Sequence, residues 1–230
     1  MHKLKIGAVI VAGGKGTRMG YGKNKVLIPV CDKEIIVYTL KAFSDNEYIE
    51  EVCLVTGEED LTVCRDLVLA HGLFKVEKII EGGATRQESV YNGLLNIDCD
   101  IVCIHDGARA LVTDEIIKNT IDGAIEFGGA APGVKCKDTL KTVSDDGFIE
   151  GTVDREKTVL IQTPQVFWKN EILKFHEKAK EDGIEVTDDC ALAEYYGRRI
   201  KIIDGSYENI KLTTPEDVLT AERIIKERGI

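Results

Sequence analysis

The residues best equipped for chemistry begin at position 12. Ala12-Gly13-Gly14-Lys15-Gly16-Thr17-Arg18-Met19-Gly20, continuing to Lys23-Asn24-Lys25, follows a short apolar run and mixes glycines with cations. Glycines let backbone N–H groups approach phosphate oxygens with no Cβ in the way, and Arg18 and Lys25 bring positive charge to the same oxygens. Neither common phosphate template fits. Gly14-x-Gly16-x-x-x-Gly20 departs from the dinucleotide G-x-G-x-x-G, and no G-x-x-x-x-G-K-[ST] is present, which disfavours a nicotinamide enzyme or a P-loop NTPase. The bland alternative is a glycine turn that merely joins a strand to a helix.

A second junction, Glu81-Gly82-Gly83-Ala84-Thr85-Arg86-Gln87-Glu88-Ser89, offers a helix start able to hold a nucleobase or ribose through backbone groups, Ser89 and Arg86. Read structurally instead, Arg86 and Glu88 are first-turn surface residues. The third, His105-Asp106-Gly107-Ala108-Arg109, follows the apolar run ending at Ile104. A carboxylate at the carboxyl end of a buried parallel strand lies where α/β proteins bind ligands, so Asp106 is a natural oxygen ligand for magnesium or another divalent cation; a structural turn is the alternative. His105 reads as structural, with no Ser or Cys nucleophile beside it. Arg155 in Thr152-Val153-Asp154-Arg155 and Lys211 before the Thr214-Pro215 helix start add outlying cations; either alone is most often a solvated charge.

The charge distribution points the same way. The chain carries a formal charge of -10, which disfavours nucleic acid and anionic membranes as partners. Yet the first 31 residues hold six cations and no acid, against 24 basic and 40 acidic residues in the rest. That local reversal suits a pocket for a small polyanion.

These groups need a scaffold, and the sequence describes one. Apolar runs at Ile6 to Ala12, Glu51 to Thr56, Lys75 to Ile80, Asp100 to Ile104, Gly129 to Val134 and Ile200 to Asp204 predict strands. Helical periods near 34–43, 58–71, 85–96, 113–127, 169–182, 188–196 and 215–228 separate them, the pattern of an α/β protein with a mostly parallel sheet flanked by helices. Thr85-x-x-Glu88 is a potential capping box, and Thr214-Pro215 places a cap before a helix-compatible proline. Residues Lys137 to Val153 alternate around Ser144-Asp145-Asp146-Gly147 and predict a hairpin too polar for a core. A projecting hairpin needs something to pack on, and a second copy of the chain is the simplest candidate.

Composition is that of a globular protein, with 43% hydrophobic and 30% charged residues and no apolar stretch long enough for a membrane span or a signal-peptide core. The seven cysteines show no Cys-x-x-Cys and mostly sit in apolar contexts, so they are expected to be reduced core residues of a cytoplasmic protein. With no internal repeat and no dividing linker, residues 1–230 are expected to form one domain, with an inserted β-arm at about 135–157.

At Ala12 to Gly20, Gly82 to Val90, His105 to Arg109, Asp138-Thr139-Leu140-Lys141, Gln162-Thr163-Pro164-Gln165 with Phe167, and Asn209 to Asp217, the chain resembles the 2-C-methyl-D-erythritol 4-phosphate cytidylyltransferases of the isoprenoid pathway. Six motifs in order over nearly the whole chain are far more specific than one glycine loop. The resemblance implies a Rossmann-like nucleotidyltransferase domain whose β-arm is exchanged in a homodimer. It implies reaction of CTP with a polyol phosphate to give a CDP-alcohol and pyrophosphate. In family terms Ala12, Gly13, Gly14, Gly16, Thr17 and Arg86 contact CTP, and Gly83, Ala84 and Ser89 hold the cytosine. Arg18 and Lys25 stabilise the transition state; Arg155, reaching the partner's site, and Lys211 position the acceptor phosphate. Asp106, Arg109, Thr139 and Thr163 line the acceptor site.

The chemistry is coherent: a phosphate-monoester acceptor is already anionic and needs no general base, only help in approaching another anion. The chain departs from the family at Asn24, where proline usually precedes the lysine, and at Gly107 and Ala110. Ribitol 5-phosphate cytidylyltransferases of teichoic-acid synthesis share these motifs. Asp138 to Lys141 and Val186-Thr187-Asp188-Asp189 through Ala193-Glu194 resemble the isoprenoid enzyme more. Sugar 1-phosphate uridylyl- or guanylyltransferases share the first loop but lack Gln-Thr-Pro-Gln. A non-catalytic nucleotide-binding protein has no need of cations at 18, 25 and 155 together.

Overall fold

The computed structural model describes residues 3–14 and 24–230. In chain order its strands are β1 (Ile6–Val11), β2 (Pro29–Val30), β3 (Lys33–Glu34), β4 (Glu51–Thr56), β5 (Val76–Glu81), β6 (Ile101–Asp106), β7 (Gly129–Lys135), β8 (Lys141–Val143), β9 (Ile149–Thr152), β10 (Val159–Ile161), β11 (Gln165–Trp168) and β12 (Lys201–Asp204). The helices are α1 (Ile35–Asp45), α2 (Leu61–Ala70), α3 (Arg86–Leu95), α4 (Asp114–Phe127), α5 (Lys169–Asp182), α6 (Asp189–Tyr195) and α7 (Pro215–Arg228).

Among the described residues, eight strands form one sheet in the order β10-β7-β11-β6-β1-β4-β5, with β12 also pairing with β7. The central pairs β1–β4, β1–β6 and β4–β5 are parallel. Strands buried on both faces read as continuous apolar runs, which is why IGAVIV and EVCLVT carry no polar alternation. Successive side chains still separate by face. Ala8 and Ile10 pack with residues of α1, α2 and α4, while Val9 packs with residues of α3, α5 and α6. Helix α7 closes a smaller cluster with Val30, Ile35 and Leu111.

The local signals act largely as expected. Thr214 and Asp217 form the reciprocal capping box of α7, and Gly128, at φ 90°, ends α4 in the left-handed conformation that glycine adopts without strain. The Thr85 box is only half made. The Thr85 side chain accepts from Glu88 N–H at 3.1 Å, but the Glu88 carboxylate accepts from Ala84 N–H at 2.7 Å, tightening the preceding loop instead.

Four strands escape the sequence reading: β2 and β3 are two residues each, and β10 and β11 are short and contain or adjoin polar residues. β11 lies antiparallel between β6 and β7, and burial there, rather than local propensity, makes Gln165–Trp168 a strand. The predicted hairpin is present as β8–β9, pairing Lys141 with Thr152, with Phe148 and Ile149 exposed. All seven cysteines are free; Cys31 is exposed and the other six are buried or partly buried.

Candidate active site

From β1 the chain builds β4 and β5 on one side, then returns to place β6 on the other. That reversal opens a crevice at the carboxyl ends of the strands, the usual ligand position of open α/β sheets. A cleft of about 800 Å³ lies there. Ala12, Gly13 and Gly14 line it after β1, Thr56 to Glu59 after β4, Glu81 to Arg86 after β5 and Asp106 after β6, with Ser89, Lys25 and Lys211 joining them.

The glycines have different reasons for being there. A Cβ built at Gly14 meets nothing within 4 Å among the described residues, and its φ is not left-handed, so neither packing nor backbone demands glycine. What glycine leaves at Gly14 is open space beside the cleft. At Gly82 and Gly83 an added Cβ lies 2.7 Å from Ser89 Oγ and 2.3 Å from Glu88 Cβ, so these glycines let the loop press on α3.

Ser89 and Arg86 line the cleft and also bond within the protein. Ser89 Oγ accepts from Gly83 N–H at 3.0 Å and donates to the Thr85 carbonyl at 2.8 Å, so it shapes the loop. Arg86 is likewise engaged with protein: Nε donates to Asp106 Oδ1 at 3.2 Å and a terminal nitrogen to Asp189 Oδ2 at 2.8 Å. Because the N–H and C=O of a trans peptide point in opposite directions, the Gly82 and Gly83 carbonyl oxygens face away from α3.

Asp106 is the hub of the charged groups. Lys211 Nζ lies 2.8 Å and Arg109 Nε 3.9 Å from its Oδ2, so Arg86, Arg109 and Lys211 surround one carboxylate. Burial opposes ionisation of Asp106, but these cations outweigh it and hold the carboxyl well below the usual carboxylate range. Asp189, almost fully buried, anchors Arg86 from below and accepts from His176 Nε2 at 3.1 Å. Here too the Arg86 charge and the His176 hydrogen bond overcome burial and lower the carboxyl pKa.

Behind the cleft His105 is completely buried. Its Nε2 faces the Arg109 carbonyl at 3.1 Å and its Nδ1 the Thr163 hydroxyl at 2.9 Å. A carbonyl only accepts, so Nε2 carries the proton and Thr163 donates to Nδ1, while Thr163 Oγ1 accepts from Asp106 N–H at 3.2 Å. Burial lowers the imidazole pKa to about 4, and the neutral ring ties β6 to the segment after β10.

The expected residues thus divide. Ala12, Gly13, Gly14, Lys25, Gly83, Ala84, Arg86, Ser89, Asp106 and Lys211 come together on the cleft. Thr163 and Arg109 act from behind it, Arg109 donating to the Asn209 carbonyl at 2.7 Å. Thr139 and Arg155 stand exposed around the β8–β9 hairpin, where Arg155 pairs with Glu156. Gly16, Thr17 and Arg18 lie outside the described residues.

Asp189, His176 and Gln165 were missed as contributors to the site. Gln165 Oε1 accepts from the N–H groups of Asp189 and Cys190, both at 3.0 Å, and so sets the start of α6 under Arg86. The Asp188-Asp189 pair at a helix start was the available signal; its arginine partner lies on another helix, α3.

Comparison with known proteins shows the family. A family model described as 2-C-methyl-D-erythritol 4-phosphate cytidylyltransferase matches residues 6–227. The chain is 48% identical over 223 residues to a protein of that name from Clostridium perfringens, covering 96% of this chain and 99% of the relative. It is 46% identical over 227 residues to one from Caldanaerobacter subterraneus, covering 97% and 100%. Its fold is similar to the crystal structure of 4-diphosphocytidyl-2C-methyl-D-erythritol synthase from Anaerococcus prevotii, with TM-score 0.84, 31% identity, and 97% and 96% of the two chains covered. A Thermus thermophilus cytidylyltransferase structure matches with TM-score 0.76 and 26% identity, covering 95% and 98%. With its cleft at the turn of the sheet and this match along nearly its full length, the chain belongs to the 2-C-methyl-D-erythritol 4-phosphate cytidylyltransferase family.

Proposed function

We propose that the cleft transfers the cytidylyl group of CTP to 2-C-methyl-D-erythritol 4-phosphate, giving 4-diphosphocytidyl-2-C-methyl-D-erythritol and pyrophosphate in non-mevalonate isoprenoid synthesis. An oxygen of the acceptor phosphate attacks the α-phosphorus of CTP. The new P–O bond forms as the bond to the β-phosphate bridging oxygen breaks, and pyrophosphate leaves with the electron pair. The observation that carries this reading is the convergence of Lys25, Lys211 and two glycine loops on one cleft in a chain of this family.

Each part has a task. The turn at Ala12 to Gly14, with Gly16 and Thr17, receives the triphosphate, while Lys25 and Arg18 offset charge accumulating on the α-phosphate and the leaving group. The Gly82 and Gly83 carbonyl oxygens are acceptors for the exocyclic amine of cytosine. Lys211 meets the acceptor phosphate, and Asp106, Arg109, Thr139 and Thr163 shape the acceptor side.

Magnesium is proposed with the nucleotide. Among the described residues no group of three His, Cys, Asp or Glu side chains could hold a metal alone, whereas Asp106 presents one carboxylate on the cleft. Arg86, Arg109 and Lys211 already surround that carboxylate, so the residues do not fit a magnesium ligand on the protein, and phosphate oxygens are proposed as the ion's ligands. Bound with the nucleotide, the ion would supply neutralisation of phosphate charge.

A homodimer is part of the same proposal. Phe148 and Ile149 on the hairpin, and Leu160 on β10, are more than half exposed, an apolar surface suited to a second copy. Arg155, exposed beside them, is proposed to reach the partner's cleft. Free cysteines suit a reducing compartment such as the cytoplasm. No helix of the described residues is long and apolar enough to cross a membrane.

Incubation with CTP, Mg²⁺ and either 2-C-methyl-D-erythritol 4-phosphate or ribitol 5-phosphate, with pyrophosphate as readout, tests the reading. Release with the methylerythritol acceptor is expected, and the relatives named above favour it over ribitol. Release with ribitol 5-phosphate alone, or with neither acceptor, overturns it.

A further inference from the structure

The Asn24 side chain joins three segments that border the cleft. Its Nδ2 donates to the Ala12 carbonyl at 2.6 Å and to Asp60 Oδ2 at 2.8 Å, and its Oδ1 lies 3.3 Å from Val26 N–H as acceptor. Each partner belongs to a different element. Ala12 ends the first strand segment and is itself fastened to β4, its N–H donating to the Val55 carbonyl at 2.7 Å. Asp60 sits in the 3-10 turn at Glu58–Asp60 after β4, and Val26 is the buried residue of the 3-10 turn Lys25–Leu27.

Lys25 stands between Asn24 and Val26, and it lines the cleft. Val26 is held by burial in the core below α1, at 2% exposure, but burial alone does not set the direction from which the chain enters. The Asn24 bracket supplies that direction by fastening the residue before Lys25 to the end of β1 and to the turn after β4. Neither bond of the amide nitrogen can be made by a carboxylate, which has no proton to donate to a carbonyl and repels Asp60.

We propose that Asn24 is a positioning residue for Lys25, holding its backbone so that the ammonium meets the α-phosphate at the transition state. The inference rests on the reading of Lys25 as a transition-state cation. A small displacement of such a group is enough to cost on the order of a hundredfold in rate.

The test compares wild type, Asn24→Ala, Asn24→Asp and the exchanged pair Asn24→Asp with Asp60→Asn, in the full-length protein with CTP, Mg²⁺ and 2-C-methyl-D-erythritol 4-phosphate. Both single variants are expected to fold, with melting points within a few degrees of wild type as for loss of a surface cap. They are expected to lose about tenfold or more in kcat and equally in kcat/KM, the signature of an interaction realised in the transition state. In the exchanged pair, the amide introduced at 60 can donate to the carboxylate introduced at 24, which restores the link to the turn after β4 but not the bond to the Ala12 carbonyl, so only part of kcat is expected to return. A purely structural bond would change the melting point and leave the turnover of the folded protein alone. Wild-type turnover in Asn24→Ala overturns the inference while leaving the proposed function standing. A wild type that releases no pyrophosphate overturns both.

Discussion

Lys211 Nζ and Asp106 Oδ2 lie 2.8 Å apart, bringing a lysine from the segment before α7 onto the carboxylate at the end of β6. The same carboxylate meets Arg86 and Arg109, so three cations share Asp106. With anionic substrates in the cleft, those cations have new partners, and the surrounding charge is already arranged to receive them.

Asp106→Asn removes the charge that keeps these cations together. Breaking a buried ion cluster from one side costs about 3 kcal/mol, and the variant is expected to lose that much stability with its turnover. A urea titration checks it; an unchanged midpoint would contradict the placement of Asp106 as hub.

Lys25→Ala is expected to lower kcat by about a hundredfold or more, some 3 kcal/mol of transition-state stabilisation, while circular dichroism stays that of the wild type. Turnover near normal would remove Lys25 from the mechanism.

If Arg155 serves the partner's cleft, Arg155→Ala and Lys25→Ala homodimers are each impaired, yet a mixed dimer contains one intact site. Unfolding and refolding the two variants together is expected to restore about a quarter of wild-type activity, from random pairing with one working site in each mixed dimer. No recovery above the separate variants would place Arg155 at its own chain's cleft or outside the chemistry.

His105 predicts a pH dependence of stability. Above about pH 6.5 its ring is neutral in both folded and unfolded chains; as pH falls further, the unfolded chain takes up a proton that the buried ring refuses until about pH 4. Unfolding is therefore favoured progressively across that window, by roughly 3 kcal/mol in total. Asp106 acts lower: its contribution is intact above its ordinary pKa near 3.8 and is lost as pH falls below it. Denaturant titrations of metal-free wild type and His105→Asn at pH 7, 5.5 and 4 isolate the first effect. The wild type should lose stability relative to the variant as pH falls; equal slopes would show that His105 does not titrate as its burial requires.

The sequence by itself determined the order and type of the main strands and helices, because apolar period, caps and glycine stops act within a few residues of one another. It also pointed to groups suited to phosphate: the turn at Ala12 to Gly14, Lys25 and Lys211. It did not show β11, since four residues led by Gln165 become a strand only when β6 and β7 lie on either side of them. Nor did it show that Arg86 and Ser89 also bond within the protein, or that Asp189 and His176 stand beneath Arg86. Those pairings depend on the reversal in strand order at β1, which brings the ends of distant strands together. Charges far apart along the chain have no local pattern to announce their partner, and only the packed sheet decides which of them share a carboxylate.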